Sequence, residues 1–386
     1  MPRPHVSLCT CTFNDAALAD GLLAATAAWS VRPGEIVVCD DGSDPPYVPG
    51  DGLPEVRLVR HARNLGITRA KHDVLGAATG EILVFMDCDV RPEPDWLRLC
   101  LPLLARPDIG LVCGPVVHDA GQDCVSRYVR AFGDNHHQNA SGPVTFVPGN
   151  AWAIRREVWE RVGGLSGCRR DVCEDHYLSE RLRREGSTLW VEPAARVRQI
   201  RRLSRVAALA RFWKWCHAAF KAKPFPEDAL PGLVFSQFII PLSQRAPEIV
   251  DLGSPEFFYL ELAYASHVAL DLCAFGRTHW GHGDQGERAW WAGLRRLCAG
   301  KRRLTALLTA DLARLGHAPP SGTEPATQPF AACFEVLAGL GPGVLTWLDS
   351  RGVARFLAEE AAGHDFSAYA GADLNEPGLT GGGPPA

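Results

Sequence analysis

Two aspartates, Asp87 and Asp89, flank a single residue directly after an apolar run that ends at Met86. At the end of a buried strand, two unpaired carboxylates would repel each other and would be costly to desolvate. A divalent cation with oxygen ligands removes that penalty and can also bridge a diphosphate. The spacing therefore indicates a metal–diphosphate site; a turn whose acids face water is the alternative.

Two further acidic pairs stand where chemistry could take place. Asp40 and Asp41 follow another apolar run, although an Asp-Gly sequence also forms ordinary turns. Glu174 and Asp175 begin a segment with helical periodicity, where the helix dipole holds a carboxylate in place. Because that position also lowers the pKa of the carboxylate, it acts as a base only if its neighbours compensate. Helix capping alone is the alternative for this pair.

The elements that must position these acids alternate between strand and helix. Apolar runs predict strands over 6–12, 35–39, 56–59, 81–86 and 110–117. Helical patterns cover 16–29, 65–78 and 95–105, and Asn64 is the predicted N-cap of the second. This order predicts an α/β fold with a doubly wound, mostly parallel sheet. In such sheets ligands bind beyond the carboxyl ends of the strands, which is where the acids lie.

Beyond the middle segment 144–205 the alternation stops, and helical patterns cover 206–222, 255–275, 288–297, 304–315 and 344–362. We therefore predict an α/β domain over 1–203, with halves at 1–117 and 118–203, and a C-terminal helical region over 204–362. The remaining residues, 363–386, are rich in Gly and Pro and are predicted to be disordered.

Composition narrows the class of protein. The 386 residues are 46% hydrophobic and 22% charged, which is typical of globular domains, and the formal net charge of −4 argues against a nucleic-acid partner. The best apolar run, over 230–242, is shorter than the ~20 residues that span a bilayer. The 13 cysteines lack paired zinc-site spacing and fit buried thiols in a reducing compartment. We expect a soluble, cytoplasmic protein with no membrane span.

The ordered motifs between Val6 and Trp215 resemble those of the family 2 inverting glycosyltransferases, which have a GT-A fold. The segments that carry the resemblance are 6–14, 37–43, 63–71, 80–89, 148–156, 162–165 and 173–175. It implies that the half 1–117 binds a nucleotide-sugar donor and that 118–203 forms the acceptor side. It further implies Mn or Mg as cofactor and UDP as the default nucleotide, with dTDP and GDP still open.

The resemblance also implies a role for each matched residue. Asp87 and Asp89 hold the metal, and Asp175 is the general base with Glu174 supporting it. Phe13 lies beside the nucleobase, where core packing is the alternative. The residues implied to bind the donor are Thr12, Phe13, Asp40, Asp41, Arg69, Lys71 and Asp87; surface charge is the alternative for Arg69 and Lys71. Those implied to bind the acceptor are Asn150, Trp152 and Trp215, and helix packing is the alternative for Trp215.

This sequence departs from the family pattern at two places. Many members carry a metal-binding His where Gln199 stands, and Gln is a poorer metal ligand. Arg198, Arg201 or Arg202 could take phosphate charge instead. The second departure is at 211–215, where membrane-bound processive relatives have Gln-x-x-Arg-Trp and only the terminal Trp215 matches.

The resemblance implies an inverting, metal-dependent transfer of sugar to an acceptor that could be a peptide, a natural product or a glycan. A sugar-nucleotide pyrophosphorylase is one alternative, although the segment 10–15 lacks the Gly-rich basic loop that it requires. A non-catalytic nucleotide-sugar-binding protein is another. The helical region could bind a bulky acceptor, form a homo-oligomer or simply support the catalytic domain.

Overall fold

The computed structural model describes residues 4–119, 121–133, 140–168, 173–221, 223–321, 328–340 and 342–361. The predicted disordered tail, 363–386, lies outside these ranges. The chain divides into two compact units. The first comprises Met1–Gly121 and Val129–Arg202, and the second comprises Gln122–Tyr128 and Leu203–Ala386.

The first unit is built around a large central sheet. Its strands, within the described ranges, are β1 (Val6–Thr12), β2 (Glu35–Asp40), β3 (Arg57–Arg60), β4 (Ile82–Met86), β6 (Ile109–Cys113), β8 (Gly142–Val144), β9 (Ala151–Arg155) and β10 (Thr188–Val191). They lie in the order β3-β2-β1-β4-β9-β6-β10-β8. β9 and β8 run antiparallel to their neighbours, whereas the other adjacent pairs are parallel. The predicted α/β fold with a mostly parallel sheet is confirmed.

Alternating side chains of the strands fill both faces of this sheet. Leu8 packs with the helices α1 (Ala16–Ala25) and α3 (Trp96–Leu104) on one face. Its neighbour Cys9 packs on the opposite face, together with residues of α2, α5 and α6. The bounds of those helices are α2 (Ile67–Ala77), α5 (Arg156–Arg161) and α6 (Glu174–Arg184). Burial on both faces explains why these strands read as continuous apolar runs.

A second, smaller sheet corrects the predicted strand over 110–117. That stretch splits into β6 and β7 (Val116–His118), and β7 joins β5 (Val90–Pro92) and β11 (Val197–Gln199) in the order β5-β11-β7. Pro115 lies at the break, and a proline has no N–H to continue the ladder of the first sheet. The small sheet brings β11 alongside β5, which begins directly after Asp89.

The N-cap predicted for α2 is also corrected. Gly66, with φ of 87°, is the residue before the helix, and Asn64 instead accepts a hydrogen bond from the Gly66 N–H at 2.9 Å. A positive φ favours glycine. The helix therefore begins at Ile67, and Asn64 lies in the loop that precedes it.

The second unit is helical, as predicted, and includes most of α4 (Cys124–Phe132). Its other helices are α7 (Arg205–Lys221), α8 (Leu230–Val234), α9 (Ile240–Asp251), α10 (Phe257–Trp280), α11 (Gln285–Leu297), α12 (Arg302–Arg314), α13 (Ala331–Gly339), α14 (Pro342–Trp347) and α15 (Val353–Ala361). Short 3-10 turns occur at Thr26–Ala28 and Glu227–Ala229, and π turns at Phe235–Ile239 and Leu348–Gly352.

Among the described residues, no single helix has the length and apolarity to cross a membrane. One pair of helices, Ala331–Gly339 and Gly343–Glu359, satisfies the length and composition criteria only when both are taken together, and the pair is bent by 75°. The cysteines are free thiols and most are buried.

Candidate functional site

The carboxyl ends of β1, β2 and β4 meet at one edge of the large sheet. Thr12 pairs in register with Asp40, and Asp87 follows the last residue of β4. The backbone N–H of Asp87 donates to the carbonyl oxygen of Asn150 at 2.8 Å, so the start of β9 lies at the same edge. The structure therefore brings these four predicted site residues together.

Lys71 links this edge to the helix that carries Glu174. Its Nζ donates to Glu174 Oε1 at 2.6 Å and to the carbonyl oxygen of Gly149 at 2.7 Å, and it lies 3.7 Å from Asp87 Oδ1. The side chain is only 3% exposed and its ammonium lies 4.5 Å from the centroid of the Phe85 ring. The sequence predicted Lys71 as a donor-binding residue with surface charge as the alternative; the structure buries it as the centre of an ion-pair cluster.

Burial alone would lower the pKa of Lys71. The opposing charges of Glu174, Asp87 and Asp175 outweigh that effect and raise its pKa above the ordinary value. The ammonium is therefore a permanent positive charge at the point where the Asp-x-Asp strand and the Glu-Asp helix meet.

Gly149 is required by the close approach of the backbone to this cluster. A Cβ at this position would lie 2.7 Å from Glu174 Oε1 and 2.9 Å from Lys71 Nζ. Any larger residue would push the pair apart. The Pro-Gly-Asn sequence thus serves to bring a carbonyl oxygen onto the lysine.

Asp175 occupies the first turn of α6, next to Glu174. Its Oδ2 accepts from the Gly149 N–H at 3.1 Å and its Oδ1 from the His176 N–H at 2.8 Å. Burial and the neighbouring charge of Glu174 raise the pKa of Asp175, while Lys71 lowers it. The net increase is the compensation that a carboxylate at a helix N-terminus needs if it is to accept a proton.

Asp41 is buried and already well supplied with donors. The backbone N–H groups of Leu65 and Gly66 each donate to it at 3.0 Å, and His61 Nδ1 lies 2.5 Å from its Oδ1. A carboxylate offers about four acceptor positions, so one remains for a further donor such as a base imide. His61 also contacts Asp73 at 3.1 Å through Nε2.

Sequence reasoning missed His61. The residue directly follows Arg60, the last residue of β3, so the rule that ligands bind at the carboxyl ends of parallel strands could have identified it. Its side chain is 8% exposed. It contacts the same oxygen of Asp41, Oδ1, that accepts from the Leu65 N–H.

Asp40 closes a loop and does not project into open space. Its oxygens accept from the backbone N–H groups of Ser43 and Tyr47 at 3.0 and 2.8 Å, and Arg60 lies 3.1 Å away. Phe13, at the end of β1, is half-buried and keeps part of its ring exposed. The structure therefore gives Asp40 a structural function and leaves Phe13 accessible for stacking.

Two buried polar atoms at this edge point to a ligand. Thr12 Oγ1 and Asn150 Oδ1 are buried and have no hydrogen-bond partner in the part of the chain that the structure describes. Buried polar atoms are normally paired, and exceptions commonly mark a binding site. Both atoms belong to residues that the sequence predicted to bind substrate.

Asp89 is held by a different set of residues. Its side chain is 3% exposed, and its Oδ2 accepts from Arg201 Nε at 2.6 Å and from Gln199 Nε2 at 3.3 Å. Arg201 also pairs with Asp15 at 2.7 Å. The position at which the family carries a metal-binding His thus holds an amide that donates to Asp89.

These contacts test whether the residues fit Mn or Mg. Each aspartate of the Asp-x-Asp motif lies beside a buried protein cation, Lys71 for Asp87 and Arg201 for Asp89. Within the described ranges, no group of three or more His, Cys, Asp or Glu residues could hold a metal ion. A dication prefers several oxygen ligands and no neighbouring positive charge. The donor set in this arrangement does not fit a resident divalent cation.

The remaining predicted residues are engaged in other contacts or cannot be described. Trp152 was predicted to bind the acceptor, but it is 3% exposed and packs against Phe85 and Trp159 in the core, so its ring face is not available. Arg69 is 60% exposed and pairs with Asp73 at 2.6 Å. Trp215 lies in α7, but its side chain is outside the described part of the chain.

Comparison with known proteins identifies one family model and several curated relatives. The family model Glycosyl transferase family 2 matches residues 7–173. The pre-mycofactocin glycosyltransferase of Mycobacterium tuberculosis is 29% identical over 178 residues, which are 44% of this chain and 38% of that protein. Polypeptide N-acetylgalactosaminyltransferase 12 of Mus musculus is 34% identical over 89 residues, which are 22% of this chain and 15% of that protein.

This chain therefore spans less than half the length of the curated relatives named above. Among solved structures, a mannosyltransferase from Pyrobaculum calidifontis in complex with GDP-Man and Mn²⁺ aligns with a TM-score of 0.41 at 20% identity. That alignment covers 91% of this chain and 88% of the other.

Proposed function

We propose that this chain, whose segment 7–173 matches the family model Glycosyl transferase family 2, transfers a sugar from a nucleotide-sugar donor to an acceptor with inversion at the anomeric carbon. The proposed roles are Asp175 as general base, Glu174 and Lys71 as its support, and the edge formed by β1, β2 and β4 as the donor site.

The observation that carries this proposal is the junction at Lys71. Its Nζ lies 2.6 Å from Glu174 and 3.7 Å from Asp87, so the acidic motif after β4 and the acidic motif of α6 share one site. Transfer needs a diphosphate-bearing donor and a base close together. Convergence of two distant acidic motifs at the carboxyl edge of a parallel sheet supports such a site.

Asp175 has the properties of the base. Inverting transfer requires deprotonation of the nucleophile as it attacks the anomeric carbon from the face opposite the departing diphosphate. Each carboxylate oxygen of Asp175 accepts a hydrogen bond from a backbone N–H and retains a further acceptor position. Its raised pKa increases its strength as a base once it is ionised.

The donor would lie along the edge that ends at Thr12. We propose that Phe13 stacks on the base and that Asp41 accepts its imide proton through the acceptor position that its protein partners leave. Thr12 Oγ1 would form a hydrogen bond with the nucleotide-sugar, and Asn150 Oδ1 would form one with the substrate that receives the sugar. UDP is the proposed nucleotide, and GDP and dTDP are the alternatives.

Metal dependence stays a prediction from the sequence. If a cation is bound, Asp87 and Asp89 are the residues that would hold it, and it would neutralise charge on the diphosphate. No step of the proposed transfer passes through it, because the present partners of both aspartates are protein cations.

For the acceptor we propose a peptide or a natural product. The polypeptide N-acetylgalactosaminyltransferase and the pre-mycofactocin glycosyltransferase carry such acceptors in their names. A glycan is the alternative. The helical unit would bind this acceptor, with oligomerisation or support of the catalytic unit as the other uses.

The proposal is tested by donor turnover. The protein is incubated with UDP-, GDP- and dTDP-sugars, with and without Mn²⁺, and slow donor hydrolysis is followed by release of the nucleoside diphosphate. Asp175→Asn should abolish acceptor transfer while donor affinity stays near that of the wild type. Glu180→Gln is the matched control, because Glu180 lies in the same helix and is 59% exposed.

The outcomes separate the candidate functions. Near-wild-type transfer by Asp175→Asn would remove the base assignment. Release of a nucleoside triphosphate that depends on added pyrophosphate would indicate a pyrophosphorylase. Tight nucleotide binding without any turnover would indicate a non-catalytic binding protein.

A further inference from the structure

We infer that Arg201 is the built-in counter-cation of the Asp-x-Asp motif, and that the donor site works without a divalent metal. The inference rests on the proposed function, because it concerns how the same donor site handles diphosphate charge. It assigns Arg201 as a positioning and charge-balancing residue.

Arg201 lies between two acidic segments of the first unit. Its Nη2 is 2.7 Å from Asp15 Oδ2, just after β1, and its Nε is 2.6 Å from Asp89 Oδ2, just after β4. The side chains are 11% exposed for Arg201, 14% for Asp15 and 3% for Asp89. One guanidinium thus joins the ends of two adjacent strands at the edge where the donor would bind.

The charge of Arg201 is secure. Arginine stays protonated in proteins, and its planar fork suits carboxylate and phosphate oxygens.

A dication at Asp89 would have to compete with this pair. Seating it beside Arg201 places like charges close together in a poorly solvated site, whereas moving Arg201 away breaks the buried ion pair between Arg201 and Asp15. Gln199 adds to the barrier, because its Nε2 donates to Asp89 and its amide is a poorer metal ligand than the His of the family pattern. The positive charge that a metal would bring is therefore already supplied by the chain.

The first experiment uses the metal alone. Mn²⁺ is titrated into the full-length protein without nucleotide and bound ion is followed by electron paramagnetic resonance. Arg201→Met removes the cation and exposes Asp15 and Asp89 to the ion, so Mn²⁺ should bind at least about tenfold more tightly than to the wild type. Arg198→Met is the control, because Arg198 lies in the neighbouring β11 and is 53% exposed. Equal affinity of wild type and Arg201→Met would overturn the inference.

The second experiment needs no variant and covers the case in which Arg201→Met does not fold. Binding of UDP and GDP to the wild type is measured by calorimetry in EDTA and in Mn²⁺. We expect the same Kd in both buffers. Binding that is lost in EDTA and restored by Mn²⁺ would overturn the inference but leave the proposed function standing. Absence of binding in both buffers would overturn the proposed donor site, while the Mn²⁺ titration still decides the assignment of Arg201.

Discussion

Replacing the buried Lys71 with methionine tests the central cluster most directly. The variant keeps the length and apolar stem of the side chain and removes only the ammonium. It leaves the carboxylates of Glu174, Asp87 and Asp175 close together without their shared cation. Breaking a buried ion pair by removing one partner costs about 3–5 kcal/mol, because the remaining charge stays buried and uncompensated.

The low exposure of Lys71 and Glu174 means that the variant breaks a buried ion pair. Lys71 and Glu174 are 3% and 10% exposed, so water cannot replace the lost contact. For a unit of this size, 3–5 kcal/mol corresponds to a decrease in Tm of roughly 6–20 °C. Arg69→Met is the matched control: Arg69 lies in the same helix, but it is 60% exposed, and such pairs contribute only about 0–1 kcal/mol.

Differential scanning calorimetry is the suitable assay, because it resolves the two compact units if they unfold separately. The double variant Lys71→Met with Glu174→Gln removes both charges and should recover more than half of the lost stability. A Tm for Lys71→Met that equals that of Arg69→Met would refute the reasoning. So would a double variant that is less stable than Lys71→Met alone.

Four further predictions follow from individual contacts. Burial and the charge of Glu174 raise the pKa of Asp175, so the acid limb of the plot of kcat against pH should lie above the ordinary Asp value of ~3.9. Lys71→Met should move this limb to still higher pH, because Lys71 lowers the pKa of Asp175. An acid limb at the ordinary value would contradict the prediction. The folded state holds that proton more tightly than the unfolded state, so the free energy of unfolding should decrease as the pH rises from the ordinary to the raised pKa. Asn150→Ala should leave Tm unchanged or slightly raised, since it removes a buried Oδ1 that has no partner among the described residues. The same variant should weaken substrate binding measured by calorimetry. Unchanged affinity would exclude a ligand at this atom. Trp152→Ala should cost about 3–5 kcal/mol through a core cavity and leave the Kd for nucleoside diphosphate unchanged, whereas a raised acceptor KM at unchanged Tm would restore its predicted acceptor role.

Local pattern was sufficient for the main elements of the first unit. The strand predicted over 6–12 is β1 without change, and the apolar run before Asp87 is β4. These strands are buried on both faces, so their composition carries the signal without help from partners. The rule that ligands bind at the carboxyl ends of parallel strands then predicted that Asp40, Asp41, Asp87 and Asp89 lie at the edge of the sheet where ligands bind.

Local pattern failed where a second segment decides the outcome. The predicted strand over 110–117 breaks at Pro115, because the residues that follow, in β7, pair with β11 in a different sheet. The apolar Trp152 has the same sequence signature as an acceptor platform, and only its packing against Phe85 and Trp159 shows that it belongs to the core. A single side chain cannot reveal which neighbours it will have.

The sequence by itself determined the strands, the order of the acidic motifs and the edge at which they gather, because hydrophobic periodicity and strand direction are properties of contiguous residues. Only the tertiary structure decided which charge neutralises which acid. Lys71 meets Glu174 and Arg201 meets Asp89 across more than a hundred positions of chain. Such pairings depend on how helices and strands pack, and Coulomb attraction acts over a few ångströms in space regardless of distance along the chain.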